Sequence, residues 1–290
     1  MNATKRARLF LIVSMASFGT LAPFVRQIAV SSGELALYRA ILASLLIGGF
    51  LLLTKQKMDF RSLKKELFLL LFSGIAMGFN WILLFEAYKY TTVAIATLSY
   101  YFAPVIVTLV CPLLFHEKLT RKQILCFVMS TLGLSLVTGI MNLGSGGNDA
   151  IGIAFGLGAA VLYATVILLN KFIKGVTGIH RTLLQFLAAV AVLIPYVLLT
   201  SGVNLGNLDL TGWGCLLIVG LVHTGITYCL YFNSLKELSG QEAAILSYID
   251  PLMAVVIGVL ILQEPLSWQQ LFGGALILGF TLLNELDIGS

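Results

Sequence analysis

The stretch from Phe85 to Leu136 recurs without a gap from Phe232 to Leu283, 147 positions later. Lys89, Ala96, Tyr101, Pro104, Glu117, Leu119 and Gln123 fall on Lys236, Ala243, Tyr248, Pro251, Glu264, Leu266 and Gln270. In a chain of 290 residues that offset is close to half the length. Two copies of one unit lie end to end, at 1–145 and 146–290, and any fold must be assembled from two like halves.

Both halves are strongly apolar. Apolar residues make up 59% of the chain and charged residues 11%, against about a quarter charged in soluble domains. So few charges cannot cover a water-facing surface, and the lipid bilayer is the expected partner. The net charge of +5 does not gather into one patch, so no nucleic-acid partner is expected. Cys111, Cys126, Cys215 and Cys229 sit inside apolar stretches without CxxC spacing, as small buried hydrophobes do. His116, His180 and His223 are scattered, with no HExxH. No metal and no other cofactor is expected.

Runs long enough to cross a bilayer, roughly 20 apolar residues, fall at 9–29, 34–54, 66–86, 93–115 and 121–140, then at 150–170, 181–200, 212–232, 242–262 and 268–285. The first run follows Lys5-Arg6-Ala7-Arg8 and has the look of a signal peptide. Its Ser17-Phe18-Gly19-Thr20 matches Leu162-Tyr163-Ala164-Thr165 in the second half, so it reads as a retained first span. The fold class is all-α, a polytopic membrane protein of ten transmembrane helices.

Fifteen of the eighteen Lys and Arg fall in loops on one side, which places both termini in the cytoplasm of a cytoplasmic-membrane protein. Five spans per copy is an odd number, so the second copy enters the membrane upside down. Inverted repeats suit alternating access around a site at their interface. Gly74 and Gly78, and Gly152 and Gly156, form small-xxx-small faces for close helix packing.

Leu98-Ser99-Tyr100-Tyr101-Phe102-Ala103-Pro104 with Phe115-His116-Glu117-Lys118-Leu119, and Leu246-Ser247-Tyr248-Ile249-Asp250-Pro251 with Leu262-Gln263-Glu264-Pro265-Leu266, resemble the paired motif of the drug/metabolite transporter superfamily, most closely its EamA-type branch. The resemblance covers nearly the whole chain. It implies a central cavity lined chiefly by spans 1, 3, 4, 6, 8 and 9, with spans 5 and 10 as peripheral scaffold, and export of amino acids or other small metabolites.

Asp250 is the sharpest candidate for substrate contact. It lies about 12 Å into its span, where a carboxylate costs about 2.5–3.5 kcal/mol and must face a cavity or a partner. Pro251 cannot donate a backbone hydrogen bond, and the carbonyl this frees adds polarity beside the Asp. The structural alternative is a carboxylate bonded to a neighbouring helix or held protonated by desolvation. Ser247 shares the Asp250 face, whereas Tyr248 is about 160° round the helix. Arg39 has three readings: snorkelling to the outer interface, an ion pair with Glu34, or capture of a substrate carboxylate. Asn80, Trp81, Tyr100, Tyr101, Thr227 and Tyr228 form a second polar and aromatic group, with Tyr101 and Tyr248 at repeat-related positions. Aromatics facing a cavity can hold an ammonium group; core packing explains each of them equally well. Tyr88 and Tyr90 read as interfacial anchors. Asp250, Glu86 and His223 are the candidates for proton coupling, although a lone apolar-helix His is more often a bonded core residue.

The chain thus reads as a secondary transporter of a small amino-bearing metabolite, an amino acid or a related compound, exported with or without protons. The alternative cargo is an organic or quaternary ammonium cation. No GxxxxGK[ST] is present to use ATP, and no catalytic cluster marks an intramembrane enzyme. A channel or scramblase is the remaining class. Two internal halves already supply a pseudo-twofold, which favours a monomer, with a homodimer as the alternative.

Overall fold

The computed structural model describes residues 3–55, 60–115, 121–138, 148–176, 178–234, 237–238, 246–247 and 249–285. Glu117 and Tyr248 lie outside these residues. All regular structure among the described residues is helical: α1 (Ala3–Gly19), α2 (Leu21–Arg26), α3 (Ser32–Leu53), α4 (Phe60–Tyr90), α5 (Val93–Tyr100), α6 (Ala103–Phe115), α7 (Arg121–Thr138), α8 (Asn148–Phe172), α9 (Gly178–Thr200), a short 3-10 helix (Leu205–Asn207), α10 (Leu210–Leu217), a π-helical segment (Ile218–Ile226), α11 (Thr227–Ser234), α12 (Ile249–Leu260) and α13 (Trp268–Glu285). Six runs are long and apolar enough to cross a membrane: Thr4–Arg26, Ser32–Leu53, Lys64–Tyr90, Asp149–Phe172, Gly178–Thr200 and Leu210–Ser234. Shorter apolar helices cover Val93–Val107, Ile124–Leu136 and Ile249–Leu260. Large apolar side chains, among them Leu52, Leu199, Leu210 and Leu260, point outward, as lipid solvent requires. The chain is a multi-pass membrane protein.

Helix starts follow local chemistry. Ser31 accepts from Glu34 N at 3.1 Å while the Glu34 carboxylate accepts from Ser31 N at 3.2 Å, a reciprocal cap for α3. The Thr92 side chain accepts from Ile95 N at 3.2 Å and caps α5, and that of Asp209 accepts from Gly212 N at 2.7 Å and caps α10. Two of the expected spans are broken. Pro104 has no N–H to give the Tyr100 carbonyl, and the chain leaves the helix at Tyr101–Phe102 before α6 begins. Pro23 has the same effect on the Gly19 carbonyl, and the break falls at Thr20.

The stretch expected as a regular helix over 212–232 also departs from that expectation, because its middle is π-helical from Ile218 to Ile226. Side chains within and just after it reinforce the wider turn. Thr224 Oγ1 donates to Val219 O at 2.8 Å and Thr227 Oγ1 to Val222 O at 2.8 Å, both five residues back.

Glycines set the closest crossings. A Cβ on Gly74 would run into the Gln185 carbonyl oxygen, and one on Gly78 would touch Ala189 and Leu193, so α4 lies tight on α9. Gly152 and Gly156 bring α8 against Thr91 and Ser99 around α5. Gly19 brings α1 against the backbone of Asp250. The expected glycine faces are therefore contact faces. Helix α7 packs along α13, away from the main core.

Candidate functional site

A deep cavity of about 130 Å³ is lined by Phe18, Leu21, Arg39, Trp81, Leu84, Tyr88, Thr97, Tyr100, Tyr101, Tyr163, Tyr228 and Asp250. Helices α1–α5, α8, α11 and α12 all contribute, and neither α7 nor α13 does. The resemblance anticipated this division, apart from the contribution of α3 through Arg39.

Arg39 is 3% exposed. Its Nε donates to Thr224 Oγ1 at 3.0 Å. The guanidinium carbon lies 4.6 Å from the Trp81 ring centroid and 5.3 Å from that of Phe85. Snorkelling is thereby corrected, because the charge is sealed inside the bundle. Pairing with Glu34 is corrected as well. Glu34 is occupied by its cap, by Tyr38 Oη at 3.1 Å, and by Asn204 N and Nδ2 at 2.6 and 3.1 Å. Among the described residues no carboxylate forms an ion pair with Arg39.

Asp250 lies on another wall and accepts a hydrogen bond from Tyr101 Oη at 2.7 Å. Tyr100 meets Tyr101 edge to face at 5.9 Å and stacks on Tyr163 at 5.2 Å. Tyr228 packs at 5.2 Å against Phe18. The cavity therefore presents one cation, one carboxylate and a band of aromatic faces.

Other predicted residues lie elsewhere. Asn80 Nδ2 donates to Ala159 O at 2.6 Å and ties α4 to α8. Thr227 bridges to α1, its Oγ1 sharing a hydrogen bond with Ser17 Oγ at 3.0 Å and its carbonyl accepting from Ser14 Oγ at 3.3 Å. Ser247 is half-buried and not on the cavity wall. His223 is buried, with Nε2 3.1 Å from Thr20 Oγ1 and Nδ1 3.3 Å from Ile218 O. Glu86 sits near the end of α4, paired with Lys89 at 3.1 Å. Of the three coupling candidates only Asp250 faces the cavity.

Tyr163, Tyr88, Phe18 and Thr97 were missed. Phe18 and Tyr163 occupy matching places in the Ser17–Thr20 and Leu162–Thr165 motifs, a signal already in the sequence. Tyr88 is no interfacial anchor, being 7% exposed and lining the cavity. A second space, a vestibule of about 650 Å³, opens at the end of the bundle holding Arg26, Lys89, Asp149 and Glu264, and Tyr88 lines it too.

A multi-pass helical bundle with such a cavity between its helices has the architecture that a transmembrane transporter needs. The sequence profile of the EamA-like transporter family matches residues 5–139 and again 150–285, and the chain is a member of that family. It is 31% identical over 253 residues to the uncharacterized transporter YxxF of Bacillus subtilis, covering 85% of this chain and 79% of that one. It is 28% identical over 277 residues to an uncharacterized transporter of Archaeoglobus fulgidus, covering 94% of each. Protein PecM of Dickeya dadantii is 26% identical over 223 residues, covering 75% of this chain and 73% of that one. A solved crystal structure superposes with a TM-score of 0.66 at 17% identity over 97% of each chain, which shows the shared fold.

Proposed function

We propose that the protein carries a small zwitterionic metabolite, an amino acid or a close relative, out of the cell across the cytoplasmic membrane. The observation that carries this reading is Arg39, a sealed-in guanidinium with no ion-pair partner among the described residues and a cavity in front of it. A buried charge costs about 2.5–3.5 kcal/mol at mid-membrane and calls for an opposite charge, which a substrate carboxylate supplies. Asp250 and the tyrosines then receive the ammonium group. Asp250 is also the candidate for exchanging a proton against the substrate.

The architecture that goes with this reading is ten transmembrane helices in two inverted repeats working by alternating access, in a monomer with both termini cytoplasmic. The family profile matches each half separately. The links Asn80 to Ala159 and Thr227 to Ser14 join the halves at matching places, since Asn80 and Thr227 are 147 positions apart and Ser14 and Ala159 are 145 apart. A second cargo, an organic or quaternary ammonium cation, is favoured by the aromatic band around Asp250.

The test is uptake of labelled amino acids and of labelled quaternary amines, offered in turn, into liposomes holding the purified protein. Saturable uptake of zwitterions that vanishes in Arg39→Gln supports the clamp. Uptake of quaternary amines alone, unchanged in Arg39→Gln, would overturn it in favour of the second cargo.

A further inference from the structure

The vestibule and the deep cavity are neighbours divided by very little. On α4, Trp81 and Leu84 face the deep cavity, Lys89 and Tyr90 face the vestibule, and Tyr88 lines both. On α3, Leu35 faces the vestibule while Arg39, about one turn on, faces the cavity. Phe85 lines the vestibule, yet its ring lies against the Arg39 guanidinium on the cavity side. Phe85 and Tyr88 are three residues apart on one helix face. The wall between the two spaces is thus one layer of side chains thick at this level, and aromatic.

A charged clasp holds that layer from the vestibule side. Arg26 Nη2 donates to the carbonyl oxygens of Tyr88 and Thr91, both at 3.3 Å, at the last turn of α4. Arg26 Nη1 pairs with Glu264 Oε1 at 2.7 Å. Glu264 Oε2 accepts from Val93 N at 2.7 Å, at the first turn of α5. A cation at one helix's C-terminus and an anion at the next one's N-terminus each complement the helix dipole. The strap carrying Glu264 is folded back by Gln263, whose φ is 53°, and by a bond from Glu264 N to Gly258 O at 3.0 Å. Four segments therefore meet at one ion pair: α2, the end of α4, the start of α5 and the strap after α12.

We infer that Phe85 and Tyr88 are the gate between vestibule and deep cavity, and that the Arg26–Glu264 pair is its latch. The inference rests on the transport reading only in treating the two spaces as one path. Releasing the pair frees the end of α4 and lets Tyr88 leave the wall.

The test uses no substrate, so its outcome is independent of the cargo. In protein lacking Cys111, Cys126, Cys215 and Cys229, a single cysteine is placed at Lys89→Cys in the vestibule or at Thr97→Cys in the deep cavity. A small cationic membrane-impermeant thiol reagent is added to right-side-out and to inside-out vesicles, and the side from which Lys89→Cys reacts is the vestibule side. From that side Thr97→Cys reacts at least about tenfold more slowly than Lys89→Cys, as a closed lid dictates. Adding Tyr88→Ala removes most of that difference, and Glu264→Gln, which leaves the wall's side chains in place, raises the Thr97→Cys rate severalfold. Equal rates at both cysteines with Phe85 and Tyr88 intact would overturn the gate. So would a slow Thr97→Cys rate that neither Tyr88→Ala nor Glu264→Gln alters in protein that elutes as a single folded species.

Discussion

Helix α4 and the run α10–π–α11 are built alike and differ at one place. Each lays an aromatic on the deep cavity at positions 147 apart, Trp81 and Tyr228. Each presses two glycines on a crossing helix, Gly74 and Gly78 on α9, Gly220 and Gly225 on α3. The spacing is four in the first pair and five in the second, as an α-turn and a π-turn respectively demand. The added residue accompanies the π-segment, within which Thr224 reaches Arg39. Phe186 packs edge to face on Tyr228 as the Arg39 guanidinium packs on Trp81, the residue 147 positions before Tyr228, so Phe186 holds the place that answers to Arg39. Position 103, 147 before Asp250, is Ala103, packed in a buried cluster with Ala160 and Ala164. Each charge in the cavity thus has an apolar counterpart. The shared scaffold builds the bundle, and the chemistry sits where the two halves part company.

If that asymmetry is the function, erasing it has the largest effect. Arg39→Phe and Asp250→Ala each copy the counterpart residue. Initial transport rates in proteoliposomes then fall at least about a hundredfold, equivalent to roughly 2.7 kcal/mol, while the protein still elutes as one species. Full activity in either variant would break the comparison.

Deleting Val222 restores the glycine spacing to four and rotates one side of the segment by about 100°, carrying Thr224 away from Arg39. Helix content by circular dichroism stays constant and transport falls by about tenfold or more, the size of one lost charged hydrogen bond.

Thr224→Val tests the contact alone. It leaves the buried Nε without its acceptor, a penalty of about 1–3 kcal/mol, read as a raised KM for zwitterions that Thr224→Ser reverses. A Thr224→Ser variant as impaired as Thr224→Val would show that the hydroxyl is not what matters.

The smallest effects separate the two glycine faces in thermal unfolding. Gly74→Ala meets a backbone carbonyl and costs about 1–3 kcal/mol. Gly225→Ala meets only the Leu46 side chain at 3.1 Å, which can shift, so the cost stays below about 1 kcal/mol.

Much of the helix pattern was legible because apolar run length and prolines are local signals. Asp250, Trp81, Tyr100, Tyr101, Tyr228 and Arg39 were legible as polar or aromatic residues at depth, and they do line one cavity. Asn80 and Thr227 were not separable from them, since a polar group that crosslinks two helices and one that faces a cavity look the same along the chain. The helix breaks at Thr20 and Tyr101–Phe102 were written in Pro23 and Pro104 and passed over, because apolar runs continue through both. The π-segment had one clue, the five-residue spacing of Gly220 and Gly225, which gains meaning only beside Gly74 and Gly78. Tyr88 looked like a surface anchor because it is near a helix end. In the fold its backbone carbonyl is held by the Arg26–Glu264 clasp, which joins residues 238 positions apart.

The Thr224 hydroxyl spends its only hydrogen on Val219, so it shows Arg39 lone pairs alone and takes a single one of the five guanidinium hydrogens. The other four find no protein acceptor among the described residues. A planar, two-oxygen anion can take two of them side by side. A cargo whose carboxylate is capped as an amide offers one acceptor oxygen and sets its own N–H groups against the guanidinium. On the proposed reading, the cavity rejects the amide of a compound it carries as the free acid.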